Sequence, residues 1–92
     1  MEYQKVWFLF AAMEKKLFRQ KNQKIGSILY QLRNELGIKQ IDLQNEGFIS
    51  QSRLSKIENG EVVISAIQLI EFAERYGVPI MYFYDKLNEN KT

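Results

Sequence analysis

Apolar residues recur along this chain at helical spacing, and no stretch sustains the two-residue alternation of a strand. Ile25, Ile28, Leu29, Leu32 and Leu36 fall at i, i+3, i+4, i+7 and i+11, one stripe of a helix that Gly37 ends. A short second helix is predicted from about Lys39 to Glu46, with Leu43 as its inward anchor. Ser50 has the side chain of an N-cap, whose hydroxyl accepts from a backbone N–H two or three residues on. It predicts a third helix from Gln51 to about Glu58, with Leu54 and Ile57 facing inward. Asn59-Gly60 marks a turn. Ser65 caps a fourth helix whose buried stripe is expected to be Ala66, Leu69, Ile70 and Ala73, ending at Gly77. Pro79 opens a fifth, through Lys86, rich in Met81, Tyr82, Phe83 and Tyr84. Gly26, Gly37, Gly47, Gly60 and Gly77 all read as marks near the ends of periodic segments. The expected class is all-α.

The segment ahead of Ile25 reads as a separate element. Tyr3 to Gln20 contains no helix breaker, and Val6 to Met13 is an unbroken apolar run extended by Leu17 and Phe18. An apolar surface that broad has to be buried, either in a dimer contact or by packing on its own domain against Tyr82 and Phe83. The run is far short of the ~20 residues of a membrane span. Glu14, Lys15 and Lys16 follow it where a signal peptide has small residues, so no membrane association is expected. Met13-Glu14-Lys15-Lys16 itself resembles a protein start, which leaves residues 1–12 open as an upstream extension, native or artificial. The expected organisation is an apolar and basic helix over 1–24 serving as a dimer element or arm, a domain over 25–86, and a polar tail over 87–92.

The second and third helices are the part that can do chemistry on a surface. Leu43, Ile49, Leu54 and Ile57 form an apolar lock that fixes a steep angle between them. Such an angle projects the start of the third helix outward, as entry into a DNA major groove requires. Gln51, Ser52, Arg53, Ser55 and Lys56 give that helix a polar outer face. Glutamine matches the donor and acceptor of adenine, and lysine or arginine match guanine. Any amphipathic helix has a polar face, so this pattern alone does not settle the use.

Charge does not settle it either. The chain is net +2, but six basic residues against Glu2 and Glu14 precede Ile25, so the rest is net acidic by two. Lys15, Lys16, Arg19, Lys21 and Lys24 are either an arm that follows a DNA backbone or an ordinary solvated helix face. The chain has neither cysteine nor histidine, which removes thiolate chemistry, imidazole catalysis and the usual zinc ligands. No Gly-rich phosphate loop is present. No catalytic residue, metal site or cofactor is expected.

From Ile25 to Asp85 the chain resembles the Cro/repressor-type, Xre-like helix-turn-helix family. The resemblance rests on Leu32-Arg33, Gly37-Ile38-Lys39-Gln40, Leu43, the run Ser50 to Gly60, and Leu69, Ala73, Gly77 and Val78, in family spacing without a gap. Ser50-Gln51-Ser52, Ser55-Lys56-Ile57-Glu58 and Pro79 with Tyr82-Phe83-Tyr84 are closest in flavour to the DNA-binding domain of Rgg/PlcR-type peptide-sensing regulators. The resemblance implies a five-helix phage-repressor-like domain. Gln40 would hold a phosphate and brace the third helix; Gln51, Ser52 and Lys56 would read bases. Arg53 and Ser55 would reach bases or phosphate, the capping Ser50 beside them counts among the DNA-binding residues, and Asn59 would meet phosphate at the helix end. Arg33 and Glu58 match a structural pair. Three residues depart from the family pattern: Gln44 stands for alanine, Phe48 for the glycine of the turn, and Ile64 for proline. They predict a looser helix crossing and an altered turn.

The implied function is a cytoplasmic transcriptional regulator, a repressor that binds double-stranded DNA as a homodimer on a palindromic operator. The alternatives are an antitoxin whose N-terminal helix binds a protein partner, the DNA-binding fragment of a larger peptide-responsive regulator, and a protein-interaction module.

Overall fold

A computed structural model of the chain describes the backbone of residues 2–89 and the side chains of residues 14–89. It contains α1 (Glu2–Glu35), α2 (Gln40–Asn45), α3 (Gln51–Glu58), α4 (Ala66–Tyr76) and α5 (Met81–Leu87), with no strand among the described residues. The all-α, five-helix expectation agrees with this. The two helices expected over 3–20 and 25–36 are one helix of 34 residues, so the boundary expected after Lys24 falls inside α1. At 1.5 Å per residue such a helix is ~51 Å long, and it accounts for the 55 Å long axis of the molecule.

Gly26 explains why the sequence looked interrupted there. It ends nothing. A Cβ at this position would lie 2.4 Å from the carbonyl oxygen of Ile57 and 2.8 Å from that of Glu58. Glycine is present because α1 and the last turn of α3 cross in near backbone contact, not because the helix stops. Two further residues of α1 fasten the same region. Asn22 donates its Nδ2 to the carbonyl of Val62 (3.0 Å) and accepts the N–H of Ile64 at Oδ1 (3.4 Å). Gln23 lies over Gly60, where a Cβ would come within 2.8 Å of its Cγ. A proline at position 64 would abolish the bond to Asn22, which gives the family departure there a reason.

The other helix ends follow the sequence closely. Ser50 caps α3 and Ser65 caps α4, each hydroxyl accepting the N–H three residues on; Gln68 returns a bond to the Ser65 N–H. The turn between α2 and α3 takes its left-handed residue at Gly47 (φ 77°), one position before the one the family uses. Phe48, freed from that role, sends its N–H back to the Leu43 carbonyl and its ring to the edge of Phe72, 5.3 Å between centroids.

Leu29, Leu32, Leu43, Leu54, Ile57, Phe72, Ala73, Tyr76 and Phe83 form the buried core. Two expectations change. In α4 the buried stripe is Phe72, Ala73 and Tyr76 with Leu69 half-buried, whereas Ala66 is exposed and Ile70 is 46% exposed. Both sets have helical spacing; the one that buries two aromatic rings wins because those rings remove more apolar area from water. Leu36 is also exposed, because the chain reverses at Gly37 and Ile38 packs against the core in its place. Tyr76 is buried, Tyr82 half-buried, and Tyr30 and Tyr84 exposed.

Gly26→Ala separates two effects of opposite sign. Helix propensity alone would stabilise by ~1 kcal/mol; the clash with two backbone carbonyls should override it and destabilise by about 1–3 kcal/mol. Urea unfolding followed by circular dichroism reads the sign.

Candidate nucleic-acid interface

The third helix is positioned from below by three residues from three helices. Arg33 of α1 grips Glu58 at the end of α3 through Nε–Oε2 (2.7 Å) and Nη2–Oε1 (2.9 Å). Its Nη1 donates to the carbonyl of Ile38 at 2.8 Å. Gln40, the first residue of α2, donates Nε2 to Glu58 Oε1 at 2.9 Å. Both members of the ion pair are buried. The hydrogen bonds that Arg33 donates to Glu58 hold its guanidinium pKa above the ordinary value, against the opposing effect of burial. Tyr76 closes the pocket; burial, and then the Glu58 charge, push its phenol up, and its hydroxyl has no hydrogen-bond partner among the described residues.

The angle between α2 and α3 is fixed by this network and by the apolar lock. Leu43, Leu54 and Ile57 are buried and Ile49 half-buried, as the sequence implied. Gln44 does not wedge the helices apart. It is exposed, and its Oε1 accepts the backbone N–H of Gln51 at 2.8 Å, bonding α2 directly to the first turn of α3. A second tie comes from the other side, where Arg75 of α4 pairs with Glu46 through two hydrogen bonds of 2.9 and 2.5 Å. The Arg75 bond holds the Glu46 carboxyl below its usual range. The pair is solvent-exposed and contributes little to stability.

The outer side of α3 is then available. Gln51, Ser52, Arg53, Lys56 and Asn59 are exposed and Ser55 is half-buried. Ser52, Ser55, Lys56 and Asn59 line one side at steps of three and four residues, with Gln51 leading at the helix start. Arg53 stands apart on a flank, beside a cleft of about 280 Å³ that it shares with Phe48, Ser50, Gln68 and Glu71. Ser50 is engaged as the cap. Asn59 Nδ2 reaches Ser55 Oγ at 3.4 Å, a bond at the limit of range. Gln40 stands at the rim of the same surface, half-buried, with its amide bound to Glu58. The sequence offered no signal for Asn22 or for the bonding of Gln44, since neither belongs to a local motif. Among the described residues no group of acidic side chains is disposed to hold a metal ion, and no helix is long and apolar enough to cross a membrane.

A short helix held rigidly at its far end, with polar side chains clustered at its free N-terminus, defines the recognition unit of a helix-turn-helix DNA-binding domain. The sequence model described as helix-turn-helix matches residues 29–83, from the first buried residue of the core to the last. The chain belongs to that family, the Cro/repressor-type, Xre-like helix-turn-helix proteins, whose domain is that of a DNA-binding regulator. No curated protein and no solved structure matches it.

Breaking the buried pair should be costly. Glu58→Ala strands the Arg33 charge and should destabilise by about 3–5 kcal/mol. Replacing both partners by apolar residues, Arg33→Met with Glu58→Leu, should cost much less than the single change. Urea midpoints of the single and double variants check this.

Proposed function

We propose that the chain reads operator DNA as a homodimer and represses transcription by occupying the site. The observation that carries the reading is the state of α3: the side chains of Gln51, Ser52, Arg53 and Lys56 are exposed and make no hydrogen bond or ion pair among the described residues. Side chains left uncommitted on an otherwise fixed helix are what base readout requires. Gln51 is matched to adenine and Lys56 to guanine in the major groove. Ser52 and Ser55 supply adaptable contacts between them. Gln40, Ser50, Arg53 and Asn59 surround that row and are assigned to phosphates, which set register without carrying sequence information. Gln40 would do so while still donating to Glu58, since an amide nitrogen has two hydrogens.

The dimer contact is assigned to the outer face of α4. Ile67 is 71% exposed and Ile70, one turn on, 46%; Val63 precedes them in the loop and is 57% exposed. They lie just after the end of α3, so a second copy joined across them by a two-fold axis brings its own α3 to the same side. Burying that apolar cluster supplies the driving force. The apolar residues Val6 to Met13, an alternative dimer element, lie outside the described side chains.

Selection of bound sites from a random DNA pool by the full chain should return a palindrome with half-site centres about one helical turn, ~34 Å, apart. Gln51→Ala and Lys56→Ala should each relax one position of the motif by about 1–3 kcal/mol. Absence of any enriched motif overturns the reading. Ile67→Asp should leave the fold intact and abolish the palindrome in favour of single half-sites; a variant dimer of unchanged mass in solution would place the contact elsewhere.

A further inference from the structure

The basic stretch of α1 is not one face but two, and the structure separates them. At ~100° per residue, Lys15 and Arg19 stand within ~20° of the line of Gly26, the residue in backbone contact with α3. Lys16 stands ~80° from the Gly26 line and within ~20° of that of Gln23, which lies over Gly60 and also borders the groove between α1 and α5, so Lys16 sits at the edge of the first face. Lys21 and Lys24 stand ~140–160° away from the Gly26 line. They line the groove between α1 and α5 with Leu17, Tyr84 and Leu87. All five basic residues are exposed.

The first face continues the surface of the α3–α4 loop. Asn22 binds Val62 and Ile64, so α1 crosses that loop at a fixed height. Arg19 lies ~4.5 Å further along the axis, within one Debye length (~8 Å) of the loop at physiological salt, and Lys15 lies ~10.5 Å along, just beyond it. The loop begins where the recognition helix ends. An eight-residue α3 is ~12 Å long, about the width of the major groove. With its start at the base edges, its end and the loop therefore come to the phosphates that border the groove. Glu14 falls ~120° from the Gly26 line, so no acidic residue of this turn offsets the face. Glu61 is the one acidic residue in the loop itself.

We propose that Lys15, Lys16 and Arg19 form a phosphate-contact strip that extends the DNA footprint beyond the α3–α4 loop, while Lys21 and Lys24 take no part. The strip adds affinity and salt dependence without sequence preference. This inference rests on the reading of α3 as the DNA-recognition helix. It also gives the charge distribution a purpose: the matched domain is net acidic, and the strip supplies counter-charge where the duplex leaves it.

The test compares full-length wild type with two variants, Lys15→Gln/Lys16→Gln/Arg19→Gln and Lys21→Gln/Lys24→Gln, all first compared for helicity by circular dichroism. Binding to a fluorescein-labelled duplex that extends well past the recognised site is titrated between 50 and 200 mM salt. The triple variant should lose about 1.8 to 2.7 units of log–log salt slope, two to three phosphate contacts at ~0.9 each, and retain the site preference of wild type. Between those two salts its affinity should fall about tenfold to fortyfold less than that of wild type. The double variant should keep the wild-type slope. A triple variant with the wild-type slope overturns the strip, as does an equal loss in both variants, which would mean diffuse attraction and not contact. If wild type itself binds no DNA, the reading of α3 fails and the strip falls with it; intact site selection with an unchanged slope sinks the strip alone.

Discussion

Glu58 accepts three hydrogen bonds, two from Arg33 and one from Gln40, and through them α1, α2 and α3 meet at a single buried point. A buried charge pair is weak evidence for stability, because desolvation offsets most of its attraction. Its value here is directional. The guanidinium fork and the carboxylate match in only one plane, and Gln40 occupies a further lone pair of Oε1. The C-terminal end of α3 is therefore held in orientation as well as position. Hydrophobic contacts at Leu54 and Ile57 would tolerate rotation of the helix by a few degrees; the fork does not. The free end of the helix inherits that precision.

The opposite end of α3 is treated differently. Its first amides are satisfied by Gln44 and Ser50, side chains that lie on the surface and belong to the helix-turn-helix unit itself. This leaves the side chains of Gln51, Ser52 and Lys56 without internal partners. The division is functional in consequence: backbone polarity is consumed inside the protein, and side-chain polarity is left for a ligand. In the turn between α2 and α3 the left-handed residue is Gly47, and Phe48 packs on Phe72.

Most of this architecture could be read from the sequence because it is local. Serine caps, glycine terminators and the Leu43–Leu54–Ile57 lock each declare themselves within a few residues. Long-range choices did not. Gly26 reads as a breaker until the carbonyls of Ile57 and Glu58 are seen above it. Asn22 is one polar residue among several until its partners, forty residues away, are known. In α4, two stripes of helical spacing overlap, and the larger apolar area of the Phe72 and Tyr76 rings takes them inward and leaves Ile67 and Ile70 outward. The outer face of α3 was legible as a polar set, but Arg53 departs from it toward the α4 cleft because its place on the helix turns it away from Ser52 and Lys56.

The continuous α1 changes what the N-terminal residues are for. A separate N-terminal helix on a hinge would sample many positions, and its charges would add only a diffuse field. A helix that passes without a break from Glu2 through Gly26 to the Arg33 fork has its direction set by the same buried pair that orients α3. Charges on it are then placed relative to the recognition helix, and which face they occupy acquires meaning. Specific contacts are few and short in a domain of this size, and the acidic balance of the residues after Lys24 works against a polyanion. On the proposed reading, coupling the basic extension rigidly to the recognition element would add affinity in register with base readout.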